Sequence, residues 1–185
     1  MIAVDDETLA MGKRKFYEME EDTLVILMPL VGLLEVEESN VSGRQLLIPE
    51  EIKVLSLKKG QSFCLANPYE KDLVNFLQIR IKGTGLTTKK SFGKYMNNSL
   101  FSILKMKSFH LHFGVFDGRR EAEYRLENPE NGIFAFVING AFELENRLLE
   151  ARDGLALWDT DKLELEALSE NAILLLLEVP LEKDS

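Results

Sequence analysis

Gly140-Ala141-Phe142-Glu143-Leu144-Glu145 follows an apolar run, Ile133 to Ile138, and the same arrangement stands earlier as Gly32-Leu33-Leu34-Glu35-Val36-Glu37 after Leu24 to Val31. The offset is 108 residues (140 − 32). After each glycine, apolar and acidic residues alternate with the period of a half-buried strand. Self-similarity over this span marks a duplicated structural unit. Further on, Leu47-Ile48-Pro49 aligns with Leu148-Leu149-Glu150, an offset of 101 (148 − 47), and a longer loop in the first copy around Ser39 to Gly43 accounts for the difference. The apolar runs Leu73 to Ile81 and Ala172 to Val179 close the two copies.

Strand signals dominate within each copy. Leu163-Glu164-Leu165-Glu166-Ala167 alternates with period two, while Leu24 to Val31 and Ala172 to Val179 are continuous apolar runs of buried-strand length. Asn139-Gly140 reads as a two-residue hairpin turn between Ile133–Ile138 and Ala141–Glu145. No segment keeps a long helical period. Short strands separated by turn residues predict a sandwich or barrel in each copy. The expected division is residues 1–84, a linker over 85–99 rich in Gly, Thr, Ser, Lys and Asn, and residues 100–185.

Composition removes several function classes. The chain has 185 residues, 45% apolar and 29% charged, ordinary for a globular protein. A net charge of −9 argues against a nucleic-acid surface, which needs concentrated Lys and Arg. Lys89, Lys90, Lys94, Lys105 and Lys107 read as a solvated linker, since no aromatic ladder accompanies them. The single cysteine, Cys64, excludes an internal disulfide and any Cys-based zinc cluster. It lies in an apolar strand, where a buried inert thiol is expected. The acidic opening residues and the short apolar runs, the longest broken by Pro29 and Gly32, predict a cytoplasmic chain with no membrane contact.

The ordered set His112-Phe113-Gly114-Val115-Phe116-Asp117-Gly118-Arg119, Gly140 to Glu145, Arg152-Asp153-Gly154-Leu155 and Leu174 to Pro180 resembles the C-terminal domain of pirin-like bicupins. Asn67-Pro68-Tyr69-Glu70 and Phe76-Leu77-Gln78-Ile79 resemble their N-terminal cupin. The resemblance implies an all-β fold of two tandem cupin (jelly-roll β-barrel) domains. The family's usual opening segment is missing, which leaves open whether the first barrel is complete at its N-terminus. It also implies, for active members, a mononuclear metal in the first barrel, usually iron, and oxidative opening of flavonols as by quercetinases. Other members act as protein partners of transcription factors.

The family's metal ligands come as H-x-H about a dozen residues before the hairpin glycine, with a later H-x-E. Counted from Gly32 and Gly60, those positions hold Glu18, Glu20, Leu65 and Asn67. No histidine occurs before His110, so no register restores the set. Leucine offers no lone pair, and one or two carboxylates make a weak site for a hard cation. No metal or other cofactor is therefore expected. His110 and His112 share one face of a strand but have no third ligand, and they lie on an earlier strand than the family motif. Trp158, Phe134, Phe136 and Phe142 read as packing residues. The chain is expected to be a non-catalytic pirin-like bicupin. It would bind a small molecule or a protein partner through a vestigial pocket of Glu18, Glu20, Cys64 and Asn67. The alternative is a metal-dependent dioxygenase of quercetinase type that uses Glu18 and Glu20 as substitute ligands. Long sheet edges would allow a homo-oligomer.

Overall fold

The computed structural model describes residues 2–39, 41, 43–93 and 97–181, with only the backbone of Ile2. All the regular structure among them is β-strand. The chain divides into two compact units, Met1–Gly93 and Lys94–Ser185.

The first unit holds β1 (Ile2–Leu9), β2 (Arg14–Glu18), β3 (Thr23–Val31), β4 (Leu34–Glu38), β5 (Arg44–Leu47), β6 (Glu51–Leu57), β7 (Ser62–Ala66), β8 (Val74–Lys82) and β9 (Thr88–Ser91). They form a five-stranded sheet, β1-β8-β3-β6-β9, and a four-stranded one, β2-β7-β4-β5. In the second unit are β10 (Ser99–Met106), β11 (Phe109–Phe116), β12 (Glu121–Arg125), β13 (Asn131–Asn139), β14 (Phe142–Leu144), β15 (Arg147–Leu149), β16 (Gly154–Leu157), β17 (Lys162–Ala167) and β18 (Ala172–Pro180). Their sheets run β10-β11-β18-β13-β16 and β12-β17-β14-β15. With β9 and β10 set aside, both units have one strand order, and it is that of an eight-stranded jelly roll. The two added strands extend opposite edges, β9 beside β6 and β10 beside β11. Thus Thr88–Ser91, inside the stretch read as a linker, is a paired strand, and Ser99 already belongs to β10. Of the lysines assigned to that linker, Lys89 is ion-paired to Glu51 at 2.8 Å and Lys105 to Glu127. Lys94 lies outside the described residues.

The continuous apolar runs become β3, β8 and β18, each with a strand on both sides. The alternating runs become strands of the four-stranded sheets: Leu163, Leu165 and Ala167 are buried, and Glu164 and Glu166 between them are not. Inward residues fill each barrel. In the first, Val25, Leu27, Leu34, Val36, Phe63, Leu65, Val74 and Phe76 belong to one buried cluster. In the second, Phe116, Ile133, Ala135, Phe142, Leu144, Leu163, Leu174 and Leu176 do the same.

Three sequence expectations are corrected here. Asn139-Gly140 is not a hairpin turn, because β13 and β14 belong to different sheets. Of the two residues only Gly140 has a positive φ, +77°, whereas a type I′ turn needs it at both. The glycine is a corner at which the chain passes from one sheet to the other. Gly32 (φ +80°) does the same between β3 and β4. The second correction is one of register. Leu47 pairs with Leu34, and Leu149 with Phe142, so Leu47 corresponds to Leu149 at an offset of 102 (149 − 47), not to Leu148. Leu47 and Leu149 are buried while Leu46 and Leu148 are exposed, as strand alternation demands. Third, Trp158 is 63% exposed and not a packing residue, although Phe142 is fully buried and Phe136 nearly so.

A Cβ at Gly140 would stand 2.3 Å from Ser169 Oγ and 3.0 Å from Ala172 Cα, while at Gly32 the nearest atom, on Tyr69, is 3.1 Å away. Both alanine substitutions incur the left-handed backbone penalty, about 1–2 kcal/mol. Gly140→Ala adds a clash and should destabilise the chain more than Gly32→Ala; urea unfolding of the two variants checks the order.

Candidate functional site

The first barrel opens at the end where β1 starts and β8 finishes. The inward positions there are Ala3 on β1, Thr23 on β3, Arg80 and Lys82 on β8, and Met19 just past β2, and with Glu18, Glu20 and Glu21 they line a cleft of about 370 Å³. Below this mouth lies a polar layer. Tyr17 stacks on Phe63 with ring centroids 4.8 Å apart, and its hydroxyl donates to the Glu7 carboxylate at 2.9 Å. Burial, aided by that carboxylate, pushes the Tyr17 phenol well above its ordinary pKa. Lys15 Nζ reaches the same carboxylate at 2.5 Å. Arg80 Nη2 pairs with Asp5 at 2.9 Å.

The four residues expected to share a pocket are not brought together. Glu18 and Glu20 are exposed on the rim of the mouth, with Met19 between them turned into the core. Glu18 stands opposite Ser62 at the start of β7, five residues from Asn67, or roughly 16 Å along the strand. Asn67 is a structural clamp. Its Nδ2 donates to the carbonyls of Leu9 (3.0 Å) and Asp72 (2.8 Å), and its Oδ1 accepts from the Tyr69 amide at 2.9 Å. Cys64 is buried on the face of β7 away from the barrel core, opposite Phe16 and Glu37.

This donor set does not fit the family's metal. The two carboxylates point outward, Leu65 is fully buried hydrocarbon, and the amide of Asn67 is already engaged. Among the described residues no three His, Cys, Asp or Glu side chains are grouped to hold an ion.

A second polar cluster, which joins the His110 and His112 pair to residues far from it in the chain, lies within the second barrel. His110, His112 and Phe116 share the inward face of β11, and His110 sits opposite Glu178 of β18. Glu178 is fully buried and accepts four hydrogen bonds: from Tyr124 Oη (2.6 Å), Asn131 Nδ2 (2.6 Å), and the amides of Glu127 (3.0 Å) and Asn128 (3.1 Å). Burial alone would raise its pKa, but these donors outweigh it and hold the carboxyl below its ordinary value. The carboxylate thus fixes the loop from Leu126 to Glu130, and with four donors engaged it is unavailable as a general base. His112 is buried, packs its ring 4.7 Å from that of Tyr124, and leaves Nδ1 without a partner. Besides the His110 and His112 pair, one signal in the sequence marks this cluster: Glu178 is the one charge in the apolar run from Ala172 to Val179.

Two outcomes follow from the cluster. Tyr124→Phe removes one donor to a buried carboxylate and should cost about 1.5–3 kcal/mol of stability. His112 has its pKa lowered, chiefly by burial and next by His110. In the unfolded chain it takes up a proton near pH 6.5, as ordinary histidine does, and in the folded chain only at lower pH. Stability is therefore complete above that pH and falls as the pH drops below it, by at most about 1.4 kcal/mol per pH unit. Glu178, with a lowered pKa, adds a further loss only below the ordinary carboxylate range. Urea midpoints between pH 7 and pH 5 should slope downward in the native chain, and His112→Leu should flatten that slope.

Residues 106–179 match the family model described as the quercetinase C-terminal cupin domain. Among curated proteins none matches the chain. Solved structures do. Bacterial pirin YhhW of Escherichia coli, in complex with nickel(II), is 16% identical with a TM-score of 0.79, over 96% of this chain and 81% of that one. YhaK of Escherichia coli is 20% identical with a TM-score of 0.82, over 96% and 84%. Quercetin 2,3-dioxygenase of Acinetobacter baumannii is 13% identical with a TM-score of 0.71, over 91% of this chain and 62% of that one. The second unit thus matches a quercetinase-type C-terminal cupin model, and the chain as a whole is similar in its tandem-cupin fold to bacterial pirin YhhW and to YhaK.

Proposed function

We propose that this chain is a pirin-like tandem cupin with a degenerate metal site, and that it binds a small molecule or a protein partner at the mouth of its first barrel without catalysing a reaction. One observation carries the reading. The positions that spacing from Gly32 and Gly60 aligns with the family's ligands have here two outward carboxylates, Glu18 and Glu20, a buried leucine, Leu65, and a hydrogen-bonded amide, Asn67. Iron and nickel favour imidazole, and neither a hydrocarbon nor an engaged amide replaces it. The mouth has room for a small ligand and charges of both signs, Glu18 and Glu20 against Arg80 and Lys82. The chain is taken to be cytoplasmic, in keeping with its one buried thiol. No nucleic-acid partner is proposed, given a net charge of −9.

The second reading is a metal-dependent dioxygenase acting on a flavonol-like substrate, favoured by the likeness in fold to quercetin 2,3-dioxygenase. The two readings separate in one measurement. After chelation and reloading with iron(II) or nickel(II), the purified chain should retain no stoichiometric metal and consume no oxygen with a flavonol. One tightly held ion per chain together with oxygen uptake would overturn the proposal.

A further inference from the structure

The proposed small-molecule site can be given a ligand chemistry, which rests on the reading that the first barrel mouth is where binding occurs. Gln78 projects from β8 on the same face as Val74 and Phe76, into the barrel, and is 1% exposed. Its Oε1 is buried and accepts no hydrogen bond. Arg80, the next inward residue on that strand, lines the cleft and has a buried Nε that donates to nothing, although its Nη2 is held by Asp5 at 2.9 Å. An unpaired acceptor and an unpaired donor thus stand one pleat repeat apart, roughly 7 Å between their Cα atoms. Buried polar groups are nearly always paired, and each exception calls for a cause. The neighbouring groups are drawn to other partners, Tyr17 and Lys15 to Glu7 and Lys82 to Glu21.

We infer that the first barrel takes a small neutral molecule by a carboxamide-like edge, whose N–H donates to Gln78 Oε1 while its C=O accepts from Arg80 Nε. The alternatives meet the wrong chemistry. A carboxylate has no proton for Gln78 and faces Asp5 and Glu7. An ammonium has no acceptor for Arg80 and faces its charge. A neutral amide satisfies both groups and brings no charge to desolvate. Its apolar body rests against Met19 and Ala3 in the cleft. Gln78 lies below the residues that line the cleft, so a ligand reaches it by displacing the Arg80–Asp5 pair, which with side chains 43% and 37% exposed is a weak surface contact.

Three probes of one shape test this on the full chain: benzamide, benzoate and benzylamine, compared by ligand-observed saturation-transfer NMR. Benzamide should bind and the other two at least tenfold more weakly. Gln78→Leu removes the unpaired acceptor at nearly constant volume, so its thermal midpoint without ligand should equal or exceed that of the native chain, while its benzamide affinity falls at least tenfold. Arg80→Met, at the rim, should also lose benzamide. Equal binding of benzoate or benzylamine, full benzamide binding by Gln78→Leu, a lowered midpoint in that variant, or no benzamide binding at all would overturn the inference. The broader reading is judged separately, with Met19→Trp filling the mouth. A metabolite that raises the native midpoint but not that of Met19→Trp upholds a binding role even where the amide chemistry fails.

Discussion

A residue on a jelly-roll strand faces either the barrel interior or the outside, and its neighbour faces the other way. Everything chemical in this chain follows from that alternation, counted from the apolar floor of each barrel. In the first barrel the count from Phe63 and Leu65 turns Tyr17 and Met19 inward, and so turns Glu18 and Glu20 out. Counted along β8 from Val74 and Phe76, it turns Gln78 and Arg80 inward. In the second it turns His110 and His112 toward the core beside Glu178. A one-residue slip in any of these strands would exchange core for solvent, which is why the buried clusters fix the register so firmly.

The two barrels, each considered by itself, treat the same inward positions differently. Arg80 and Glu178 occupy corresponding places on β8 and β18, opposite Val25 and Ile133, and Tyr17 and Tyr124 correspond on β2 and β12. In the second barrel the tyrosine donates to that strand's own glutamate, and the glutamate saturates itself on a loop. In the first the tyrosine donates instead to Glu7 on β1, and the arginine is left half-exposed at a cleft with one donor idle. In the second unit Tyr124 and Glu178 are spent on its own closure; in the first, Arg80 keeps a donor in reserve at an opening.

Much of the fold was legible in the sequence because strand periodicity and duplication are properties of single segments. Gly32 and Gly140 were recognised as equivalent, and the apolar runs as buried strands. Their connection was misread: an Asn-Gly pair advertises a hairpin, but whether two strands bond to each other or lie in different sheets depends on partners far away in the chain. The site was less legible for the same reason. Spacing from a glycine joins Glu18, Glu20, Cys64 and Asn67 in one pocket, whereas Glu18 stands at the rim, Cys64 turns away from the barrel core and Asn67 caps the far end of β7. Gln78 and Arg80 look like ordinary polar residues in a strand until β1 and β3 are placed beside them.

The clamp at Glu178 has a consequence for how the second unit can vary. Two of its four donors are main-chain amides, which every residue type except proline supplies. The grip of Glu178 on the loop therefore does not depend on which side chains stand at 127 and 128, although Asn128 Oδ1 also accepts from the Glu130 amide at 3.1 Å, and the obligation toward the carboxylate is concentrated in Glu178, Tyr124 and Asn131. A loop so anchored can drift in sequence while keeping its path, and the record of its constraint is carried by a strand some fifty residues away.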